Sequence, residues 1–245
     1  MTKNISIIPY YEPCPHNCWF CIWKGHPLEH VKGPSIDAID RFLEKYKNLG
    51  YWRFSISGSD AIFENMNKYD NWWDNIFQIS DKYNMLIDIH TRSRIYNQDF
   101  LETDRIRKLV LSTTHVKDCE RYIDWLWSVF DGDVRLVKVV TQDTTEAEIK
   151  EYIELTLDFQ IQMTFKQLYG YDDGDKYNQY KQIYDGKYKH VVFLDIGDYN
   201  IYLMPDNKEH NTFINRKRRI FLCTQGMMKK TVHLEYSSTP EQKSW

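Results

Sequence analysis

The sequence predicts an α/β fold: a partial, TIM-like (β/α)6 barrel, followed by a C-terminal extension that contains a β-hairpin. Three observations lead there. Short runs rich in β-branched and aromatic residues alternate with amphipathic helical stretches through residues 1–170. Strands joined through helices run parallel, with right-handed crossovers. Six such repeats are too few for a full eight-stranded barrel, so an open, partly closed barrel fits the count.

The strand-like runs are 4–9 (NISIIP), 51–57 (YWRFSIS), 85–91 (MLIDIHT), 107–113 (RKLVLST), 133–141 (DVRLVKVVT) and 160–169 (QIQMTFKQLY). After the first strand, Ile36, Ile39, Leu43 and Tyr46 share one helix face, with Ser35 as N-cap and Gly50 as stop. Ile62, Met66, Tyr69, Trp73 and Ile76 predict a second helix, and 97–103 a short one. Val116, Cys119, Tyr122, Leu126 and Phe130 line the next. Thr145 and Glu148 are spaced as a capping box ahead of Ile149, Ile153 and Leu157. After residue 170 the rhythm breaks. A polar, Tyr-rich stretch at 170–189 gives way to VVFLDIGDYNIYLMP, two strands about a Gly-Asp-Tyr-Asn turn. A basic run, Arg216–Arg219, and a strand at 220–223 follow. We therefore expect a core at 1–170, with 171–245 as an extension or cap of the same domain.

Hydrophobic residues make up 42% and charged residues 27% of the 245, the balance of a soluble globular protein. A net charge of -3 creates no field that would draw the chain to nucleic acid or membrane, so neither is an expected partner. No apolar run approaches about 18 residues, and the start lacks the apolar core of a signal peptide. These features predict a cytoplasmic protein with reduced thiols. Five cysteines, an odd number, argue against a disulfide framework.

Strand alternation bears on the sheet's faces. Trp52, Phe54 and Ile56 fall on one side of the second strand, Arg53, Ser55 and Ser57 on the other. In the third, Met85, Ile87 and Ile89 oppose Leu86, Asp88 and His90. Helices on the outer face would take the apolar set, leaving a polar interior suited to a polar ligand; a solvent-facing side of the sheet is the alternative reading of the polar set.

Within EPCPHNCWFC, residues 12–21, Cys14, Cys18 and Cys21 are spaced C-x-x-x-C-x-x-C just after the first strand. In a barrel, functional groups gather at the C-terminal ends of strands. Three thiolates suit a soft metal centre, either zinc or an iron–sulfur cluster. Structural zinc takes four ligands, and His16, His26 or His30 could supply the fourth.

This motif, with Phe20 before its last cysteine, resembles that of the radical S-adenosylmethionine enzymes. The resemblance implies that Cys14, Cys18 and Cys21 hold a [4Fe–4S] cluster whose fourth iron is left for S-adenosylmethionine. It extends to SISGSDAIF after the second strand, where the family carries a Gly-Gly-Glu-Pro-like segment. Ser57, Gly58, Ser59 and Asp60 occupy that place, and Asp60 is one methylene shorter than the family's Glu. Ser112 or Thr113, with Lys138 and Thr141, match by position the strand ends that hold the ribose and carboxylate of the cofactor. A lysine on the otherwise apolar side formed by Val134, Leu136 and Val140 calls for an anionic partner, either that carboxylate or a neighbouring Asp.

Arg53, Asp88, His90, Arg92 and Gln167 are candidates for substrate contact, with Asp88 placed to pair with Lys138 or Arg53. The resemblance implies reductive cleavage of S-adenosylmethionine, with electrons from a donor such as flavodoxin or ferredoxin. The radical so formed would take hydrogen from a polar small-molecule or nucleobase-like substrate. A glycyl-radical activase acting on a partner protein is a second reading, and a zinc-stabilised binding module without catalysis a third.

Overall fold

The computed structural model describes residues 5–9, 11–16, 18, 33–58, 60–168, 174–194, 201–203, 211–215 and 220–223. The chain falls into two compact units, the first formed by Met1–Ile87 with Gly197–Trp245, the second by Asp88–Ile196.

In the first unit, β1 (Ile5–Ile8) pairs in parallel with β2 (Arg53–Ile56), joined through α1 (Ile36–Asn48). Ser35 caps α1, its hydroxyl accepting from the Ala38 N–H at 3.2 Å. Asp37 in the first turn and Lys45 and Lys47 in the last suit the helix dipole. Ile39, Leu43 and Tyr46 are buried beneath it.

The single helix expected through Ile62, Met66 and Trp73 is instead broken into α2 (Ala61–Glu64), a 3-10 turn (Met66–Tyr69) and α3 (Asp70–Tyr83). The break falls at Asn65, whose φ of -116° and ψ of 47° leave the helical region. Asn84, left-handed at φ 47°, ends α3, and the Met85 N–H returns to the Ser80 carbonyl at 2.9 Å. The C-terminal part of the unit contributes β8 (Ile201–Leu203), β9 (Asn211–Asn215) and β10 (Ile220–Cys223). β8 and β9 are antiparallel, as are β9 and β10, while β10 lies parallel to β1 with Ile5 opposite Ile220.

β3 (Leu86–Thr91) straddles the boundary between the units. The second unit continues with α4 (Gln98–Leu101), β4 (Ile106–Ser112), α5 (Lys117–Val129), β5 (Asp133–Val140), α6 (Glu146–Asp158), β6 (Gln162–Gln167), α7 (Gly174–Tyr184) and β7 (Val191–Leu194). β4, β5, β6 and β7 form consecutive parallel pairs. The two strands read at 191–203 therefore do not pair as a hairpin. β7 extends the parallel series, and the antiparallel pairing belongs to β8, β9 and β10. The core of this unit is apolar and aromatic: Leu109, Ile123, Leu136, Tyr152, Met163 and Phe165 are fully or almost fully buried.

Strand pleating places polar side chains inside, as the alternation predicts. Ser6 and Ser55 are register partners across β1 and β2, both buried, and their hydroxyls bond to each other. Among the described residues, no helix is long and apolar enough to cross a membrane.

Candidate functional site

The loops after β1 and β2 meet at Cys14. Its thiol is half-buried, and the backbone N–H groups of Asp60 and His16 both donate to its sulfur. Burial raises the Cys14 pKa above the usual cysteine value. The two N–H donors oppose that shift, while the nearby Asp60 carboxylate and Cys18 add to it. Burial thus favours the protonated thiol. A bound cation reverses the balance, because coordination deprotonates a thiol and the N–H donors then stabilise its charge. Cys18 is also half-buried. Soft sulfur donors with backbone N–H support fit a thiolate-bound centre, which needs the third cysteine; Cys21 lies outside the described residues, as do Phe20 and Ser59.

Gly58 sets how closely the two loops approach. Its φ of +107° disfavours any side chain, and a Cβ there would come within 2.5 Å of Ile8 Cγ2. Beside it the Ser57 N–H donates to the Ile7 carbonyl at 3.0 Å. Asp60 is 7% exposed, and His16 Nε2 stands 3.1 Å from its Oδ2 and 3.5 Å from Glu64 Oε1.

The root of the cysteine loop is tied by Tyr11. Its hydroxyl donates to the Pro34 carbonyl at 2.6 Å and accepts from Trp72 Nε1 at 2.8 Å. The ring stacks on Tyr69 and lies so close to Gly33 that a Cβ there would overlap it. Glu12 adds an ion pair to Lys68. Burial pushes the Tyr11 pKa well above the usual tyrosine value.

The remaining expected residues divide by partner. Lys138 is 8% exposed, and its ammonium donates to Glu148 Oε1 at 2.5 Å and to the Thr114 carbonyl at 2.8 Å, 5.8 Å from the Tyr152 ring centre. The lysine thus finds its anion on α6. The same contact leaves the capping box half-formed: Thr145 Oγ1 accepts from the Glu148 N–H at 3.2 Å, while the Glu148 carboxylate turns to Lys138. Asp88 pairs with neither Lys138 nor Arg53. Arg107 grips it in a two-pronged bond at 2.8 and 2.6 Å, and also reaches Asp133 at 3.2 Å.

Arg53 lies over the Trp52 ring at 4.8 Å, and Trp52 is about half exposed rather than packed with Phe54 and Ile56. Ser112 ends β4 exposed, whereas Thr113 is buried, its hydroxyl against Cys119 Sγ at 2.7 Å and the Tyr152 hydroxyl at 3.2 Å. Thr141 follows β5, its N–H donating to Thr144 Oγ1 at 2.9 Å. His90 and Gln167 are half-buried on β3 and at the end of β6, and Arg92 reaches Thr114 Oγ1 at 3.4 Å. Tyr11, Glu64 and Trp72 were not expected at the site, and His16 only as a zinc ligand. Its place between Cys14 and Cys18 was the available signal.

No protein-family model matches the chain, and no curated protein matches its sequence. Solved structures do. Streptococcus suis SuiB bound to precursor peptide SuiA is similar with a TM-score of 0.59 and 16% identity, over 79% of this chain and 49% of that one. SuiB bound to S-adenosylmethionine gives 0.55 and 13%, over 79% and 51%. A further crystal structure of SuiB gives 0.53 and 14%, over 79% and 50%. The chain thus spans about half the length of SuiB, and at this identity the likeness shows the fold. It is the parallel α/β fold of partial-barrel type that the sequence predicts.

Proposed function

We propose that this chain is a radical S-adenosylmethionine enzyme whose loop after β1 carries a [4Fe–4S] cluster on Cys14, Cys18 and Cys21. The observation that carries the reading is the meeting of that loop with Asp60 at the Cys14 sulfur. The fold shared with a protein solved with S-adenosylmethionine supports it. Bound there, the cluster supplies the electron that splits S-adenosylmethionine into methionine and a 5′-deoxyadenosyl radical.

The chain's own residues prepare that event. Three thiolates hold three irons and leave one uncapped. The Asp60 carboxylate receives the ammonium of S-adenosylmethionine. Gly58, without a side chain, lets the backbone after β2 close on β1. For the substrate we propose a peptide in place of the small polar molecule expected from sequence, because the structure of SuiB with precursor peptide SuiA shares this fold.

Anaerobic reconstitution, followed by incubation with dithionite and S-adenosylmethionine, tests the reading. Brown protein that releases 5′-deoxyadenosine, with both properties lost in Cys18→Ala, is the expected result. Colourless protein carrying one tight zinc would establish the binding module instead. Activity restored to a partner protein as a glycyl radical would establish the activase.

A further inference from the structure

We propose that His16 is a positioning residue that orients the Asp60 carboxylate toward the ammonium of S-adenosylmethionine; the proposal rests on the reading of Asp60 given above. Asp60 stands at the N-cap of α2, where an aspartate ordinarily turns its side chain onto the helix's own N–H groups. Here it makes no such bond. One oxygen, Oδ2, faces His16 Nε2 at 3.1 Å, and the Asp60 side chain is 10% exposed. A carboxylate withdrawn from water needs donors, and the His16 ring nitrogen stands at hydrogen-bond distance from it.

His16 acts on the same assembly through its backbone. Its main-chain N–H and that of Asp60 converge on the Cys14 sulfur, so one residue bonds the cysteine by its amide and the carboxylate by its ring. Glu64 Oε1 stands 3.5 Å from the same nitrogen, a second carboxylate within its reach. Asp60 carries one methylene fewer than a glutamate, so its oxygens sweep a smaller arc and depend more on being aimed. A ring that fixes Oδ2 sets the direction of Oδ1. The three-residue interval between Cys14 and Cys18 therefore supplies a side chain to the cofactor seat as well as spacing the ligands.

The test uses full-length protein reconstituted anaerobically, with iron per chain and S-adenosylmethionine affinity measured on the unreduced cluster, where no turnover occurs. His16→Ala is expected to keep its iron and to bind S-adenosylmethionine about tenfold more weakly, the cost of losing one hydrogen bond to a charged group. His16→Gln, which keeps an N–H near the Nε2 position, should return affinity to within about twofold of the parent. In an Asp60→Ala background, His16→Ala should add no further loss. Unchanged affinity in His16→Ala, a Gln variant as weak as the Ala variant, or losses that add with Asp60→Ala would each overturn the proposal. Iron lost from His16→Ala would also overturn it, by assigning the histidine to the cluster. Parent protein that holds its cluster yet binds no S-adenosylmethionine would sink the reading of Asp60 itself, and the proposal with it.

Discussion

Replacing Gly58 with alanine tests whether the approach of the two loops is built into the backbone. Two costs are legible. At φ +107° an L-residue is strained, which is worth about 1–3 kcal/mol. The new methyl would also sit 2.5 Å from Ile8 Cγ2, and Ile8 is 3% exposed and unable to retreat. Overpacking of that kind adds about 1–3 kcal/mol. The sum, about 2–6 kcal/mol, is a large share of a domain's usual stability. Gly50 separates the two costs, since its φ of +82° is also positive but nothing lies within 4 Å of a Cβ there. Gly50→Ala should therefore show strain alone, about 1–2 kcal/mol. Urea unfolding of the cluster-free proteins gives both values. Pairing Gly58→Ala with Ile8→Ala should recover the overlap cost as a coupling of about 1–3 kcal/mol. Iron uptake should fall in Gly58→Ala, because a shifted loop carries the Asp60 N–H off the Cys14 sulfur. A Gly58→Ala protein no less stable than Gly50→Ala, with no coupling to Ile8, would refute the reasoning.

Other outcomes follow from the same geometry. Tyr11→Phe strands the Pro34 carbonyl and the Trp72 indole N–H, and should cost about 1–3 kcal/mol in urea unfolding and reduce iron retained on reconstitution. Glu148→Gln leaves a buried Lys138 without its counter-charge and should destabilise by about 1–3 kcal/mol, yet leave S-adenosylmethionine affinity unchanged; a loss of affinity would return Lys138 to the cofactor site. Alkaline pH should weaken the fold. Burial raises the pKa of Tyr11, Tyr122 and Tyr152 above their unfolded value, so their contribution is complete below about pH 10 and lost as pH rises beyond it. Melting temperatures between pH 9 and 11 would show the fall, and Tyr122→Phe should flatten it.

The periodic elements were legible in the sequence because a strand or helix with one buried face prints its period directly. Ser35 and Gly50 bounded α1, and the six strand runs each overlap an observed strand, β4 starting one residue earlier than read. The break at Asn65 was not legible, since Ile62, Met66 and Trp73 keep helical spacing across it. Pairing partners were harder still. Nothing near Val191 says that it will join β6 in parallel rather than fold back on the strand after it. The same limit governed the charges. A lone lysine on an apolar strand announces the need for an anion, but Glu148 was already explained as part of a cap. At the candidate site, type and spacing drew attention to Cys14, Cys18 and Asp60. The His16 bridge required the loops to be brought together first.

The parallel pairing of Ile5 with Ile220 has a consequence for how the molecule is made. The strand that leads into the cysteine loop borders a strand translated among the last of those described, so a nascent chain cannot finish that edge until almost everything between has emerged. That part of the sheet should accordingly be among the last to form. A chain interrupted before β10 would leave β1 with β2 as neighbour and its other side unpaired.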